Sequence, residues 1–408
     1  MDLEIRPIRD DELDRYLTAI ESAFHQIPTA DDLRVLRELT EVDRTLAVFD
    51  GPDIVGSAAA DSLQLTIPGG IVPMAGVTAV AVVPSHRRRG ILTELMHRQL
   101  EDVHRRGEPV AGLWASEGGI YQRFGYGLAT LHSSFAIDRT RTAFARQLAP
   151  DPGRVRMVPR EQALEAMPPV YERIRPTIPG FLDRSSLWWD RLYADLERDR
   201  RGAGPLLFAL HESPESVDGF LAYRVKDDWS EGWAAGHAMI HELIAATPEA
   251  YAALWSFVMN LDLVGKITTW RRPADEPLFH MLAEPRRLSF GLSDALWIRP
   301  VDVARALSLR SYAVDGEVAF AVRDSLCPWN EDTYRMMVRS GNAEVRRDDR
   351  AMPDLELDVS DLGAAYLGGE TFTRLHDAGR VAAASEEALR RADDLFRTSR
   401  APWCPHIF

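Results

Sequence analysis

The alternation of polar and apolar positions predicts strands and helices from the start of the chain onward. LEIRPI is typical of a strand, and RDDELDRYLTAIESAF predicts a helix whose acidic first turn suits the positive end of the helix dipole. Two apolar runs on either side of Gly-Pro-Asp, RTLAVFDGPDIVGSAAADSLQLTIPG, predict a hairpin. GVTAVAVVP is nearly all apolar, as in a strand buried on both faces, and ILTELMHRQLEDVHRRG carries the one-sided apolar stripe of a helix.

Two further blocks follow, and the changes of pattern between them indicate domain boundaries. LAPDPGRV, near residue 145, is typical of a connection. Beyond it, LLFALH, GFLAYRV, AMIHELIAA and KITTWRRP predict strands, and TPEAYAALWSFVMNLD predicts a helix capped by Thr247. LWIRPVDVARAL begins a third block at about residue 297. We therefore expect a mixed α/β protein of the α+β class, with domains at 1–145, 146–296 and 297–408.

Composition narrows the classes of partner. The formal net charge of the 408 residues is −14, which argues against nucleic acid because its binding needs a basic surface. A negative field concentrates cationic substrates, although solubility alone explains the charge equally well. The two cysteines, Cys327 and Cys404, are too few for a disulfide framework. The N-terminus lacks a signal-peptide pattern, and no apolar run reaches the roughly 18 residues of a membrane span. We expect a cytoplasmic protein with no membrane partner.

The strongest chemical signal is VTAVAVVPSHRRRGILTELM, residues 77–96. An apolar strand, a short loop and a helix start follow one another there, so the first N–H groups of the helix lack backbone partners. Gly90 lets the backbone approach a ligand, and three consecutive arginines add positive charge. This combination suits a pyrophosphate, although an arginine cluster before a helix is equally often a solvated surface. The P-loop and dinucleotide-binding patterns are both absent.

The same stretch resembles the acetyl-CoA-binding motif of the GCN5-related N-acetyltransferases, in which an R/Q-x-x-G-x-G/A loop holds the CoA pyrophosphate. Residues 87–92 match this motif, with Leu92 where Gly or Ala is usual. The resemblance implies that acetyl-CoA is the co-substrate and that the preceding strand bonds the pantetheine arm through its backbone. The implied cofactor-binding residues are Val80, Ala81, Val82, Arg87, Arg88, Arg89, Gly90, Ile91, Leu92, Thr93, Ser116 and Glu117.

Longer stretches resemble one branch of these enzymes. ASEGGIYQRFGYGLA, TPEAYAALW, LWIRPVDVARAL and YLGGETFTRLHDAGRV are similar to the enhanced intracellular survival (Eis) acetyltransferases of actinobacteria, so the resemblance covers essentially the whole chain. It implies tandem GCN5-related acetyltransferase domains, the second degenerate, followed by a sterol-carrier-protein-like domain. The three blocks of the chain agree with this order. The resemblance also implies a homohexamer.

Acetyl transfer to an amine needs a proton donor for the leaving thiolate, and tyrosine can serve as one. Tyr121 follows the pair Gly118-Gly119, about thirty residues beyond the arginine loop. The resemblance implies that Tyr121 is the general acid. Tyr126, in FGYG, is the competing candidate, although it is equally suited to packing against the strand.

The chain ends in PWCPHIF, residues 402–408, and an aromatic terminal residue invites two explanations. A tail that merely docks in an apolar groove is the simpler one. In Eis-type enzymes, however, a terminal Phe brings its own carboxylate into the active site as general base, and Phe408 occupies that position here. A free α-carboxyl group has a pKa of roughly 3.5 and is ionised at neutral pH. His406 is a further candidate base.

The acceptor site carries less charge than the resemblance would suggest. Family members that modify aminoglycosides place acidic residues beside the terminal Phe and shortly after the first helix. Here Ile407 precedes Phe408, and Gln26 follows Phe24 by two positions. We expect Phe24, Gln26 and Ile407 to contact the substrate. Acidic residues elsewhere in this segment are possible substitutes: Glu21, Asp31 and Asp32.

The expected function is therefore transfer of the acetyl group of acetyl-CoA to a primary amine, of the aminoglycoside, polyamine or lysine type. Tyr121 acts as acid and the carboxylate of Phe408 as base. The alternative is a non-catalytic carrier of lipids or small molecules with a vestigial acetyltransferase core. A longer acyl-CoA donor would differ only in the pocket around the thioester. No metal-ligand spacing stands out among the 11 His and two Cys, so we expect no metal.

Overall fold

The computed structural model describes residues 3–148, 150–230 and 232–408. It divides into two compact units. The first comprises the residues up to Thr130, Asp294–Pro402 and His406–Phe408, and the second comprises Leu131–Ser293 and Trp403–Pro405. Each unit is built on its own seven-stranded sheet, and the first carries an additional five-stranded sheet.

The N-terminal part of the first unit alternates strands with helices as the apolar pattern predicted. Its elements are β1 (Glu4–Arg6), α1 (Leu13–Ala23), α2 (Ala30–Leu39), β2 (Thr45–Asp50), β3 (Asp53–Ile67), β4 (Gly70–Val82), α3 (Ile91–Arg105), β5 (Val110–Trp114), α4 (Gly118–Tyr121) and β6 (Gly127–Leu128). The predicted hairpin is β2–β3, and its turn carries Gly51 at φ +59°.

The second unit repeats the plan of two parallel strands joined by a helix. Its elements are β7 (Leu131–Asp138), β8 (Arg154–Val158), α5 (Arg160–Ile174), α6 (Ser186–Leu192), β9 (Leu207–Glu212), β10 (Val217–Lys226), β11 (Trp229–Ser230), β12 (Trp233–Ala234), β13 (Gly236–Ala245), α7 (Pro248–Met259), β14 (Val264–Pro273), α8 (Leu278–Met281) and β15 (Gly291–Asp294). Its main sheet has the order β15-β7-β14-β13-β10-β9-β8, with β13 and β14 parallel. The side chain of Thr247 caps α7, as predicted.

The rest of the first unit begins with a strand that joins the N-terminal sheet. The elements are β16 (Leu296–Pro300), α9 (Val303–Leu309), β17 (Gly316–Arg323), β18 (Asp332–Arg339), β19 (Asn342–Arg347), β20 (Leu355–Asp358), α10 (Val359–Ala365), α11 (Phe372–Asp377), β21 (Ala382–Ala383) and α12 (Glu386–Phe396). Strands β17 to β21 form the five-stranded sheet β19-β18-β17-β20-β21, with its own apolar core.

Strand pairing does not follow the sequence blocks. The first sheet has the order β1-β2-β3-β4-β5-β16-β6, so β16 lies between β5 and β6 and pairs antiparallel with both. Strand β7 pairs with β14 in the second sheet. The predicted boundaries at 145/146 and 296/297 stay predictions, but backbone pairing assigns Leu131–Asp138 to the second sheet and Leu296–Pro300 to the first.

Helices α1 and α3 cover opposite faces of the first sheet. On β2, Val48 packs in one apolar cluster with Ile91 of α3, whereas its neighbour Phe49 packs in another with Tyr16 of α1. Successive strand residues point to opposite faces, so this alternation fixes which helix each side chain meets. Along β3 and β4, Ala60, Ala75 and Val77 lie on the α3 face.

Candidate active site

The loop between β4 and α3 holds a helix N-terminus open to ligands. Gly90 is the N-cap of α3, at φ +78°, and Arg88 also has a left-handed backbone at φ +63°. The Nε of Arg87 donates to the Val82 carbonyl oxygen at 3.2 Å, and an Nη of Arg89 donates to the Ser85 carbonyl oxygen at 3.2 Å. These bonds fold the loop back onto the end of β4, and all three arginines stay exposed.

The helix that follows is fixed by its buried stripe. Ile91, Leu95, Met96, Leu100 and Val103 are buried, and Leu92 is half-buried and packs against the same core. Leu92 is therefore accommodated where the motif usually has Gly or Ala. The unpaired N–H groups of the first turn of α3 point toward the loop. The predicted residues Arg87 to Thr93 therefore lie together in an arrangement suited to a pyrophosphate.

A gap opens between β4 and β5 beside this loop. The two strands are paired in parallel only at three positions: Met74 with Val110, Ala75 with Ala111, and Gly76 with Gly112. Beyond Gly76, β4 continues to Val82 without β5 beside it. The edge of β4 that includes Val80, Ala81 and Val82 therefore has backbone amides free of β5, in the place where the family resemblance implies that the pantetheine arm binds.

A β-bulge bends β4 at this gap. Ser57 stands opposite Ala81 and Ala59 opposite Thr78, so two residues of β4, Ala79 and Val80, face one residue of β3. Ala79 has a φ of +53°, an unusual value for alanine. The Ser57 hydroxyl donates to the Ala79 carbonyl oxygen at 2.8 Å and stabilises this conformation. The sequence does not mark Ala79, because glycine, asparagine and aspartate are the residues that signal a left-handed backbone.

Tyr121 lies at the end of α4 and is 6% exposed. Burial raises its pKa above the ordinary value of 10.0, a hydrogen bond with Ser116 works in the opposite direction, and the charge of Glu117 raises it again. The phenol consequently stays protonated at neutral pH, as a proton donor must. The structure thus joins three of the predicted site residues: Ser116, Glu117 and Tyr121.

Tyr126, the competing acid, is fully buried. Its ring lies 6.1 Å from that of Tyr121 in an edge-to-face arrangement. Its hydroxyl has no hydrogen-bond partner among the described residues, and burial raises its pKa well above the ordinary value. A phenol sealed from solvent is poorly placed to exchange protons with a substrate, which favours packing as its role.

The end of the chain lies on the first sheet, where β4 and β5 separate. A Cβ built on Gly76 would lie 3.1 Å from two carbon atoms of the Phe408 ring, so that ring packs directly on the glycine. The indole Nε1 of Trp114, the last residue of β5, donates to the carbonyl oxygen of His406 at 2.9 Å. Because Gly76 alternates with Ala75 and Val77 of the α3 face, the tail occupies the opposite face.

The preceding residues of the tail belong to the second unit. The backbone N–H of Trp403 donates to the Pro179 carbonyl oxygen and its indole to that of Arg271, each at 2.8 Å. The indole ring meets Phe181 edge-to-face at 5.2 Å, and the guanidinium of Arg272 lies 5.0 Å from its centroid. Trp403 therefore packs as a core residue of that unit.

For the predicted substrate residues, the structure gives their exposure but no contact that joins all three. Phe24 is 41% exposed just after α1, Gln26 is exposed, and Ile407 is half-buried in the tail. In the described part of the chain, no hydrogen bond or ring contact is recorded from Phe24 to the tail. Asp32 caps α2 by accepting bonds from Thr29, so it is not an available acidic substitute.

The described residues contain neither a cluster of metal-binding side chains nor a membrane-spanning helix. Among residues 3–148, 150–230 and 232–408, no group of three or more His, Cys, Asp or Glu side chains is arranged to hold a metal ion. Within the same ranges, no helix has both the length and the apolar character needed to cross a membrane.

Family models match three stretches of the chain. Residues 4–129 and 180–305 each match a model described as an acetyltransferase (GNAT) domain, and residues 303–405 match one described as a sterol carrier protein domain. These matches confirm the predicted fold class, tandem GCN5-related acetyltransferase domains followed by a sterol-carrier-protein-like domain.

Relatives align over nearly the whole length. An uncharacterized N-acetyltransferase of Streptomyces avermitilis is 39% identical, with both chains covered completely. The N-acetyltransferase Eis of Mycobacterium tuberculosis is 34% identical over 96% of this chain and 95% of its own. The crystal structure of Eis1 from Mycobacterium abscessus is similar at a TM-score of 0.87 and 38% identity, with all of both chains covered.

Proposed function

Since the chain belongs to the Eis family of GCN5-related N-acetyltransferases, we propose that it acetylates a primary amine, with Tyr121 as general acid and the terminal carboxylate of Phe408 as general base. The family establishes an N-acetyltransferase whose domains use acetyl-CoA as co-substrate. The acceptor class and the two catalytic roles are the proposal.

The proposed reaction balances with these two groups. The neutral nitrogen of the amine attacks the thioester carbonyl carbon, and a C–N bond forms as the C–S bond breaks. The thiolate leaving group takes a proton from the Tyr121 hydroxyl. The proton lost by the nitrogen passes to the Phe408 carboxylate, directly or through one water. A carboxylate is a weak base, so its main effect would come before the attack, when it holds the acceptor as an ammonium ion until one proton passes to solvent and leaves the neutral nitrogen.

One observation supports the role of the tail above all. The ring of Phe408 packs on Gly76, the last residue of β4 that is paired with β5. The gap beyond Gly76 is where a thioester would lie if its pantetheine arm follows Val80 to Val82. With the ring held at that point, the attached carboxylate would lie beside the gap, which supports the proposed role of the tail.

Tyr121 suits the acid role because of its surroundings. Its hydroxyl is hydrogen-bonded to the side chain of Ser116. Ser116 lies close to the C-terminal end of β5, and β5 forms the other side of the gap. A raised pKa keeps its proton available over the whole neutral range. The tyrosine and the terminal carboxylate would then serve opposite sides of the same thioester.

Three further features remain part of the proposal. The family resemblance implies a homohexamer, which sedimentation velocity would test directly. Aminoglycosides are included among the acceptors to be tried, because family members that modify them exist. A cytoplasmic location is also part of the proposal, because two cysteines in 408 residues fit a reducing compartment.

The test is a thiol-release assay with acetyl-CoA against aminoglycosides, polyamines, arylalkylamines and lysine peptides. The assay compares the wild type with a variant that lacks Phe408. We expect turnover that is lost on deletion, while calorimetry shows that acetyl-CoA still binds. Normal turnover by the deletion variant would refute the role of the tail. Failure of the wild type to bind acetyl-CoA would instead favour the non-catalytic carrier.

A further inference from the structure

Asp61 lies beside the place where the tail docks. On the antiparallel pair β3–β4, Asp61 stands directly opposite Gly76. Side chains of directly opposite residues share a face of the sheet, with Cβ atoms about 5 Å apart. Since the ring of Phe408 packs on Gly76, the side chain of Asp61 emerges next to that ring.

Two neighbours confirm which face Asp61 occupies. Ala60 belongs to the apolar cluster on the α3 face, so the next residue points away from α3. Leu63, two residues further along β3, is on the face of Asp61, and a Cβ on Gly76 would meet its Cδ1 at 2.6 Å. Asp61, Leu63 and the Phe408 ring therefore line one surface of the sheet.

Among the described residues, Asp61 has no partner of its own in this surface. In the part of the chain that the structure describes, no hydrogen bond or ion pair is recorded for its carboxylate. Arg44, whose positive charge acts on Asp61, donates hydrogen bonds to both carboxylate oxygens of Glu108, at 2.9 and 2.6 Å. The Tyr16 hydroxyl donates to the Ala58 carbonyl oxygen at 2.8 Å.

The ionised form of this half-buried carboxylate is consequently destabilised when no cation lies beside it. Burial raises the pKa of Asp61 to about 7, the charge of Glu41 adds to the effect, and Arg44 opposes it. Burial and then the charge of Asp61 raise the pKa of Tyr16, which places Asp61 close to α1. A positively charged ligand beside Asp61 would restore its ionised form and remove this cost.

We infer that Asp61 is a specificity-determining residue of the acceptor site, and that it binds a second ammonium group carried by the amine acceptor. This inference rests on the proposed function, because the Phe408 carboxylate is taken to hold the ammonium that reacts. Two anionic groups then share one face of the sheet. Positions 26 and 407 carry Gln and Ile, so Asp61 of β3 supplies the acidic side chain instead.

The test compares two acceptors that differ by one charge. Putrescine and butylamine have the same carbon chain, but only putrescine carries a second ammonium group. We expect Asp61→Asn to lower kcat/KM for putrescine by about tenfold or more relative to butylamine, chiefly through KM. The matched control is Asp53→Asn, which removes an exposed carboxylate at the start of the same strand. An equal effect of Asp61→Asn on both amines, or no effect, would overturn the inference.

A second measurement separates this inference from the proposed function. Calorimetry gives the affinity of putrescine for CoA-saturated protein, which requires no turnover. Weaker binding to Asp61→Asn than to wild type would support the inference even if the wild type acetylated neither amine, and then only the proposed function would fail. Identical binding to the two proteins, or none to either, would overturn the inference. Retained CoA affinity shows that the variant is folded.

Discussion

The indole of Trp114 donates a hydrogen bond of 2.9 Å to the carbonyl oxygen of His406, 292 positions later in the chain. This bond holds the tail at the end of β5. We expect Trp114→Phe to keep an aromatic ring at this position but lose the indole N–H donor. The cost would be about 1 kcal/mol, or about fivefold in kcat. Steady-state kinetics should show an unchanged KM for acetyl-CoA. A variant with full kcat would mean that Phe408 alone fixes the tail.

The contact between Gly76 and Phe408 makes a second prediction. A methyl group on Gly76 would lie 2.6 Å from Leu63 Cδ1, which can move, and 3.1 Å from the Phe408 ring. Gly76→Ala should therefore push the ring away, so that kcat falls clearly while the thermal midpoint of unfolding falls little. Gly70→Ala, on the same strand, is the control, because its Cβ would meet nothing nearer than 3.8 Å. Thermal unfolding and kinetics of both variants decide between local and general damage.

The two tyrosines should respond differently to loss of their hydroxyl groups. We expect Tyr121→Phe to lower kcat by about 100-fold, the lower end of general acid catalysis. Tyr126→Phe removes a buried hydroxyl with no recorded partner in the described chain, so activity should persist and stability should be equal or higher. If Tyr126→Phe were the inactive variant, the assignment of the acid would be reversed.

Tyr121 also predicts the shape of the pH–rate profile. The acid is lost as the pH rises through its pKa, and that pKa lies above the ordinary 10.0. The basic limb of the kcat profile should therefore begin above pH 10.0. A basic limb near neutral pH would assign the proton donation to another group.

The left-handed backbone at Gly90 gives another prediction. A Cβ on Gly90 would meet no atom within 4 Å, so Gly90→Ala changes only the backbone preference at φ +78°. That costs roughly 1 kcal/mol, and we expect about a fivefold higher KM for acetyl-CoA. Gly51→Ala imposes the same kind of strain at φ +59°, in the β2–β3 turn. It should cost stability alone, and an equal rise in KM would contradict the role of the loop.

His211 predicts a pH dependence of stability in the second unit. Its ring nitrogens contact Asp218 at 2.5 Å and Asp151 at 2.8 Å. Burial alone would lower its pKa, but these two carboxylates outweigh burial and raise it. The stabilisation is full below the unfolded pKa of about 6.5 and is lost as the pH rises through the higher folded value. Thermal midpoints should fall as the pH rises above the unfolded pKa of about 6.5, and His211→Asn should flatten this change.

The sequence predicted the local parts of the site well. An apolar strand, a glycine and an apolar helical stripe are encoded by neighbouring residues, and the structure has β4, Gly90 and α3 in those places. The fold class was predicted from a resemblance that the comparisons confirm. The roles of the individual site residues stay predictions.

The parts that could not be predicted depend on distant pairing. The strand pattern of Leu296–Pro300 does not show that its partners are Val110–Trp114 and Gly127–Leu128. Ala79 carries no mark of a bulge, because alanine is common in any strand. Asp61 lies between Ala60 and Ser62, and this local pattern does not show where its side chain points. Only its pairing with Gly76 brings it to the tail.

Because β16 lies between β5 and β6, the first sheet can be completed only after β16 has been synthesised. A ribosome completes β5 about 180 residues before β16, a delay of about 10 to 35 s at ordinary rates of synthesis. During that interval the edge of β5 is open to any other strand, and β6 has no neighbour to pair with. The stretch that matches the first acetyltransferase model, residues 4–129, therefore lacks the strand that pairs with both β5 and β6. Expressed by itself, it would present an unprotected strand edge and tend to aggregate.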